Sequence, residues 1–537
     1  MNNEREKKQM LGEYLNNGCS IREEGQFQLA IEKFQEAFTL AEELNDEKQV
    51  TNVNIGLGSA YRLNNQIRTA IQHYENALEI AIERGYKLEE TKARLGLGKV
   101  HRKNNQIQTA GEHYEKALEI AIEREYKPEE TKARLGLGKV HRKNNQIQTA
   151  GQHYEKALEI AIEREYKPEE TKARLGLGKV HRKNKQIQKA IQHYEKALEI
   201  AIEREYKLEE TKARLGLGKV HRKNKQIQKA IQHYEKALEI AIERGHKLEE
   251  TKARLGLGKV HRKNKQIQKA IQHYEKALEI AMEREYKLEE TKARLGLGKV
   301  HRKNKQIQKA IQHYEKALEI AIERGHKLEE TKARLGLGKV HRKNNQIQTA
   351  GQHYEKALEI AIEREYKLKE INARLGLGYA YRLSNQIPKA IQHYEKALEI
   401  AIEREYKREE TKARVGLGKV YRKNKQIQKA VQHYEKALEI AREQGYKGLA
   451  RDVIEKLSRL KDTGSIKISS TSNDAQRQDE TVDNVEQADI RNQSMNVDRI
   501  ASAVGLLNLG HSYQREDGNE EAKSSKEAQN LLRLPTQ

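Results

Sequence analysis

Apolar residues fall into two alternating runs that recur every forty residues. Ile187, Ala190, Ile191, Tyr194, Ala197, Leu198 and Ala201 are separated by steps of three and one, the spacing of a helix with one buried face. Ala173, Leu177, Val180 and His181 show the same period just upstream and predict a shorter partner helix. Lys183, Asn184, Lys185 and Gln186 interrupt the pattern, and Asn184 is the residue type expected in a left-handed turn that ends a helix.

Other signals agree with this division. Pro128 and Pro168 stand where first helices begin and Pro388 where a second one begins, positions at which proline is tolerated. The acidic pairs Glu129/Glu130 and Glu209/Glu210 follow, matching the preference of a helix N-terminus for negative charge. Blocks 215–254 and 295–334 are identical, while 175–254 and 255–334 differ only where Met282 replaces Ile202. A repeat of this length signals a solenoid whose units stack on their neighbours. A coiled coil is excluded because forty is not a multiple of seven, so its seam would slip at every unit.

With these residues the unit resembles a tetratricopeptide repeat. Leu177, Gly178, Ala190, Tyr194 and Ala197 match that family's pattern; His181 stands where tyrosine is usual, and Tyr61, Tyr381 and Tyr421 restore it. Arg174 occupies a position often held by tryptophan. The forty-residue length, with a longer second helix, is similar to the repeats of G-protein-signalling modulators. The resemblance spans about residues 10 to 461 and implies an all-α, right-handed superhelical solenoid of about eleven helix-turn-helix repeats, counted on the series from Ala30 to Ala430. Asp474, Ala475, Gln476 and Arg477 match the end of the modulators' tail motif, but no Phe- and Leu-rich helix precedes them, so G-protein binding is not expected.

The expected organisation is an atypical N-terminal repeat or cap over 1–50, the repeat array over 51–447 and a closing helix over 448–461. A disordered acidic linker over 462–497 and a degenerate helix pair over 498–537 complete it. No Trp, only three Phe and 34% charged residues suit thin helical layers better than one large core. The single Cys19 rules out an internal disulfide and suggests a reducing compartment. The start MNNEREKKQM has no apolar stretch, and the expected location is cytoplasmic.

Charge changes the picture most. The chain carries +24; residues 1–50 contribute −5 and residues 448–537 contribute −3, which leaves +32 on the array. Lys172, Leu175, Lys179, Arg182 and Lys183 share helical spacing on a face opposite the apolar stripe. In the resembled family that face lines the concave groove, so the resemblance implies a basic ligand-binding ribbon. Its members are Lys132, Lys139, Arg142, Lys143, Lys172, Lys179, Arg182, Lys183, Lys212, Lys219, Arg222, Lys223, Lys252, Lys259, Arg262, Lys263, Lys292, Lys299, Arg302 and Lys303. The competing reading is a solvated face multiplied by copy number. Asn52, Ser59 and Leu63, and Asn372, Tyr379 and Leu383, replace the lysines in two units.

In the resembled repeats, the positions of Gly176 and Lys179 are often asparagines that hydrogen-bond a peptide backbone; that ladder is absent here. A glycine inside a helix costs about 1 kcal/mol relative to alanine. Gly178 fits a packing position; Gly176 is expected to mark close approach of a ligand backbone. His181 and His193 recur twelve apart with no Cys or acidic partner at ligand spacing, so no metal is expected, with His181 in the core and His193 on the surface. Nothing resembles a nucleophile with its base or a phosphate loop, and neither enzyme activity nor a cofactor is expected.

The sequence therefore points to a non-enzymatic protein–protein interaction scaffold that binds extended acidic segments. Alternatives are sequence-nonspecific binding of single-stranded RNA, for which no aromatics interleave with the basic residues, and a purely structural spacer. Residues 462–498 hold three basic residues against eight acidic ones, so an intramolecular contact between this segment and the groove is expected. No membrane partner is expected.

Overall fold

The computed structural model describes residues 2–461, which form twenty-three helices and no strand. Helix α1 spans Asn2–Glu24, α2 Phe27–Glu43, α3 Glu47–Leu63 and α4 Ile67–Glu83. From α5 (Lys87–Lys103) and α6 (Ile107–Glu123) the pairs recur with the forty-residue period; α9 (Lys167–Lys183), α10 (Ile187–Glu203) and α11 (Lys207–Lys223) are representative. Residues up to Asn424 form one compact unit, a right-handed superhelical solenoid. Within it each helix packs on its sequence neighbours, and successive first helices, such as α9 and α11, also touch. Beyond Lys425 a second unit contains α22 (Ile427–Glu443) and α23 (Lys447–Lys461) packed together. The expected linker over 462–497 and helix pair over 498–537 lie outside the described residues.

First and second helices are equally long, 17 residues each in α9 and α10, contrary to the shorter first helix read from the sequence. The opening turn of α9 is polar, so the apolar period does not reveal it. That turn is held by Thr171, whose hydroxyl donates to the Lys167 carbonyl at 2.8 Å, and by Glu170, which accepts from Arg174 at 2.9 Å and Lys167 at 3.1 Å. Burial pushes the Glu170 carboxyl up, but these partners outweigh it and leave it below the usual carboxylate range. Pro168 falls in the first turn as expected. The left-handed residue between α9 and α10 is Lys185 (φ 62°), not Asn184, and Glu205 (φ 54°) plays the same part after α10.

Tyrosines key the units together. Tyr154 is 1% exposed; a Cβ at Gly138 in its own unit would lie 2.7 Å from the ring, and one at Gly176 in the next unit 2.5 Å. Gly176 therefore has a packing reason, contrary to the expectation that a ligand backbone approaches there. The L-G-L-G run supplies two sockets, one for each neighbouring tyrosine. Leu175, grouped by spacing with the lysines, is instead buried with Ala190 and Tyr194 in the core.

Candidate functional site

Because tyrosine keys fix the separation of successive first helices, they also fix the lysine three residues after the first socket. Lys99, Lys139, Lys179, Lys219, Lys259, Lys299 and Lys339 form a lane of half-buried ammonium groups, one per unit. None of the seven has an ion-pair or hydrogen-bond partner among the described residues. Burial holds Lys179 well below the usual lysine range, and the charges of Arg142, Lys219, Lys139 and Lys212 press it further. The same causes bring Lys139, Lys219 and Lys259 down to about 7 and Lys99 and Lys339 to about 8. Lys299 is likewise lowered, first by burial. A desolvated row of like charges without counter-charges is unfavourable by itself.

Arginines border the lane. Arg142, Arg182, Arg222, Arg262 and Arg302 each keep a buried Nε without a partner. The Arg182 guanidinium also lies beside the Tyr194 hydroxyl, opposing the upward push of burial on that tyrosine. These guanidinium groups are thus anchored to the core with a donor unused.

The remaining predicted site residues are placed differently. Lys132, Lys172, Lys212, Lys252 and Lys292 donate to Glu129, Glu169, Glu209, Glu249 and Glu289 at 3.2, 3.4, 3.2, 3.1 and 3.1 Å. Lys143 and Lys183 reach Asn105 and Asn145 of the preceding unit at 2.7 and 2.9 Å. Lys223 and Lys263 reach the Arg182 and Arg222 carbonyls at 3.3 Å, and Lys303 is exposed at the equivalent position. The uncompensated part of the basic ribbon is therefore its lysine-179 and arginine-182 series.

Two features escaped the sequence reading. His181 and His193 stack face to face with ring centroids 5.1 Å apart, and His193 is half-buried, not a surface residue. His181 Nδ1 is bonded to Gln186 Oε1 at 2.6 Å, while His193 Nδ1 is buried without a partner. Burial, helped by the neighbouring His181, brings His193 down to about 4. The only sequence signal was the recurrence of both residues. The second feature is Tyr379 at the lysine-179 position, whose ring has the guanidinium groups of Arg342 (4.4 Å) and Arg382 (5.2 Å) over it. The lane stops at an aromatic ring.

Tetratricopeptide repeat descriptions match residues 14–83, 89–163, 169–243, 249–323 and 328–403, with a further single repeat at 411–444. The chain belongs to the tetratricopeptide repeat family. Tetratricopeptide repeats are protein-interaction scaffolds and generally non-catalytic. A Rap protein complexed with Competence and Sporulation Factor is similar in structure, 16% identical, with a TM-score of 0.51 over 66% of this chain and 98% of that one. A signal transduction ATPase with a tetratricopeptide repeat sensor from Pyrococcus horikoshii is 15% identical, with a TM-score of 0.48 over 71% of this chain and 55% of that one. Such likeness is one of fold alone. Among curated proteins no sequence matches this tetratricopeptide repeat chain. No helix among the described residues is long and apolar enough to cross a membrane.

Proposed function

We propose that this chain is a non-enzymatic scaffold whose lysine lane holds extended acidic protein segments. The observation that carries this reading is the absence, among the described residues, of any counter-charge on seven half-buried lysines in successive units. A bound carboxylate at each rung would supply the missing partner through charge-assisted hydrogen bonds. The reading is favoured over RNA because the tyrosines of the Tyr194 series are shut in the core, Tyr194 at 1% exposure, and offer bases no stacking platform.

The test is fluorescence anisotropy with labelled polyglutamate at low salt, comparing the native chain with Lys139→Gln/Lys179→Gln/Lys219→Gln. Saturable binding, weakened at least tenfold in the triple variant, is expected. Equal binding by both proteins would reject the lane, as the spacer reading predicts, and tighter binding of oligo(dT) than of polyglutamate would transfer the site to nucleic acid. The acidic segment 462–498 is an internal candidate for the same lane. Deleting 462–537 is expected to tighten polyglutamate binding, since a tethered competitor acts at high effective concentration.

A further inference from the structure

The lane has ends. Its rungs run from Lys99 to Lys339, and the flanking units carry Ser59 and Tyr379 instead of lysine. Serine only removes a charge. Tyr379 does more, because its ring takes the place of an ammonium and has the guanidinium groups of Arg342 and Arg382 over it. A guanidinium over an aromatic face is held by the attraction of its charge for the ring, which engages the last two arginines of the border. Lys369, the additional base of this unit, lies near Lys332, Glu329 and Glu409, at the position where the other units have the acidic partners of the lysine-172 series, and its charge is felt by Lys299 and Lys339. At Tyr379 itself a rung is lost and two arginines are engaged.

We propose that the lane is a length gauge for linear polyanions, with seven lysine rungs closed at Tyr379, so that it is filled by an acidic segment of defined length and gains no ion pairs from a longer one. This rests on the reading that the lane takes acidic segments. Near-identical units give no sequence readout, but a row of equivalent rungs with fixed ends still reads length. Neighbouring helices pack about 10 Å apart and an extended chain advances about 3.3 Å per residue, so seven rungs match roughly 18 residues. Restoring a lysine at 379 would add an eighth rung and lengthen the lane to roughly 21 residues by the same reckoning.

The experiment measures binding of polyglutamates of 6, 12, 18, 24 and 36 residues (a series bracketing the roughly 18-residue estimate) to the full chain over a range of salt concentrations. The slope of log affinity against log salt reports how many ions are displaced, and it is insensitive to the number of registers a long chain can adopt. The slope is expected to steepen with length to about 18 residues and then level, and in Tyr379→Lys to keep steepening past 18, to about 21. Tyr379→Gln, which frees both arginines without adding a rung, is expected to steepen the plateau slightly without moving its position. A slope that rises through 36 residues in the native chain, or a plateau unmoved by Tyr379→Lys in a variant whose helical circular dichroism is intact, overturns the gauge. Failure of the native chain to bind any length overturns the underlying reading instead.

Discussion

Two glycines in successive units separate packing from propensity. A Cβ at Gly151 would meet only Val180 Cγ1 at 3.6 Å, an ordinary contact, so Gly151→Ala is expected to stabilise by about 1 kcal/mol through helix propensity. Gly176→Ala gains the same propensity but forces a methyl into the Tyr154 ring at 2.5 Å, and overpacking of this kind costs about 1–3 kcal/mol. Urea unfolding of the two variants should move the midpoint in opposite directions. At the turns, Glu205 holds φ 54° where the equivalent Gly245 holds 64°. Glu205→Gly should raise stability by about 1 kcal/mol, because a side chain in the left-handed region costs roughly that much; thermal melts would register it.

Helix pairs carry a titratable contact on a seam that otherwise packs alanine and leucine. The His193 ring, at about 4, is lowered first by burial and then by His181, and the other recurring stacks share the geometry. Its folded pKa lies below the unfolded value of 6.5, so the folded state binds fewer protons between those values. Stability should therefore fall as pH drops from about 6.5 towards 4, and His193→Phe should flatten that slope. Chemical unfolding at pH 4.5, 5.5 and 7 (values inside and just above the window about 4 to 6.5) would test the difference. Much of the element level was legible: the Ile187 to Ala201 stripe and the proline positions located the helices. The polar first turn of α9, built from Lys167, Glu170, Thr171 and Arg174, was not, because its order comes from side-chain bonds without apolar periodicity. Gly176 was misread for a related reason. Its partner Tyr154 lies in the preceding unit, and sequence spacing within one unit cannot show it.

For the whole molecule the lane sets a second pH window. Lys139, Lys219 and Lys259 sit at about 7 through burial and the repulsion of Arg102, Arg182, Arg222 and neighbouring lysines, against 10.5 when free. Below about 7 both states are charged and the penalty is fully present. Between about 7 and 10 the unfolded chain binds more protons, so stability should rise with pH. Lys139→Met/Lys179→Met/Lys219→Met should be more stable than the native chain at pH 7 and show a shallower rise by pH 9.5 (both inside the window of about 7 to 10), read by urea midpoints. The sequence made the charge of the array plain but could not divide it, since Lys172 and Lys179 look alike until Glu169 is seen to neutralise one and no described residue the other.

The tyrosine keys bear on how such a gene changes. Residues 215–254 and 295–334 are identical, so each joint presents the same Tyr ring to the same two glycines. A recombination that excises or duplicates forty residues within this region rebuilds a joint the protein already contains, and no new interface has to be selected. Unit number is then free to drift between generations at little cost to folding, and each such event would add or remove one lysine rung. The lineage can vary the length of its lysine lane by unequal crossover alone, without a single amino-acid substitution.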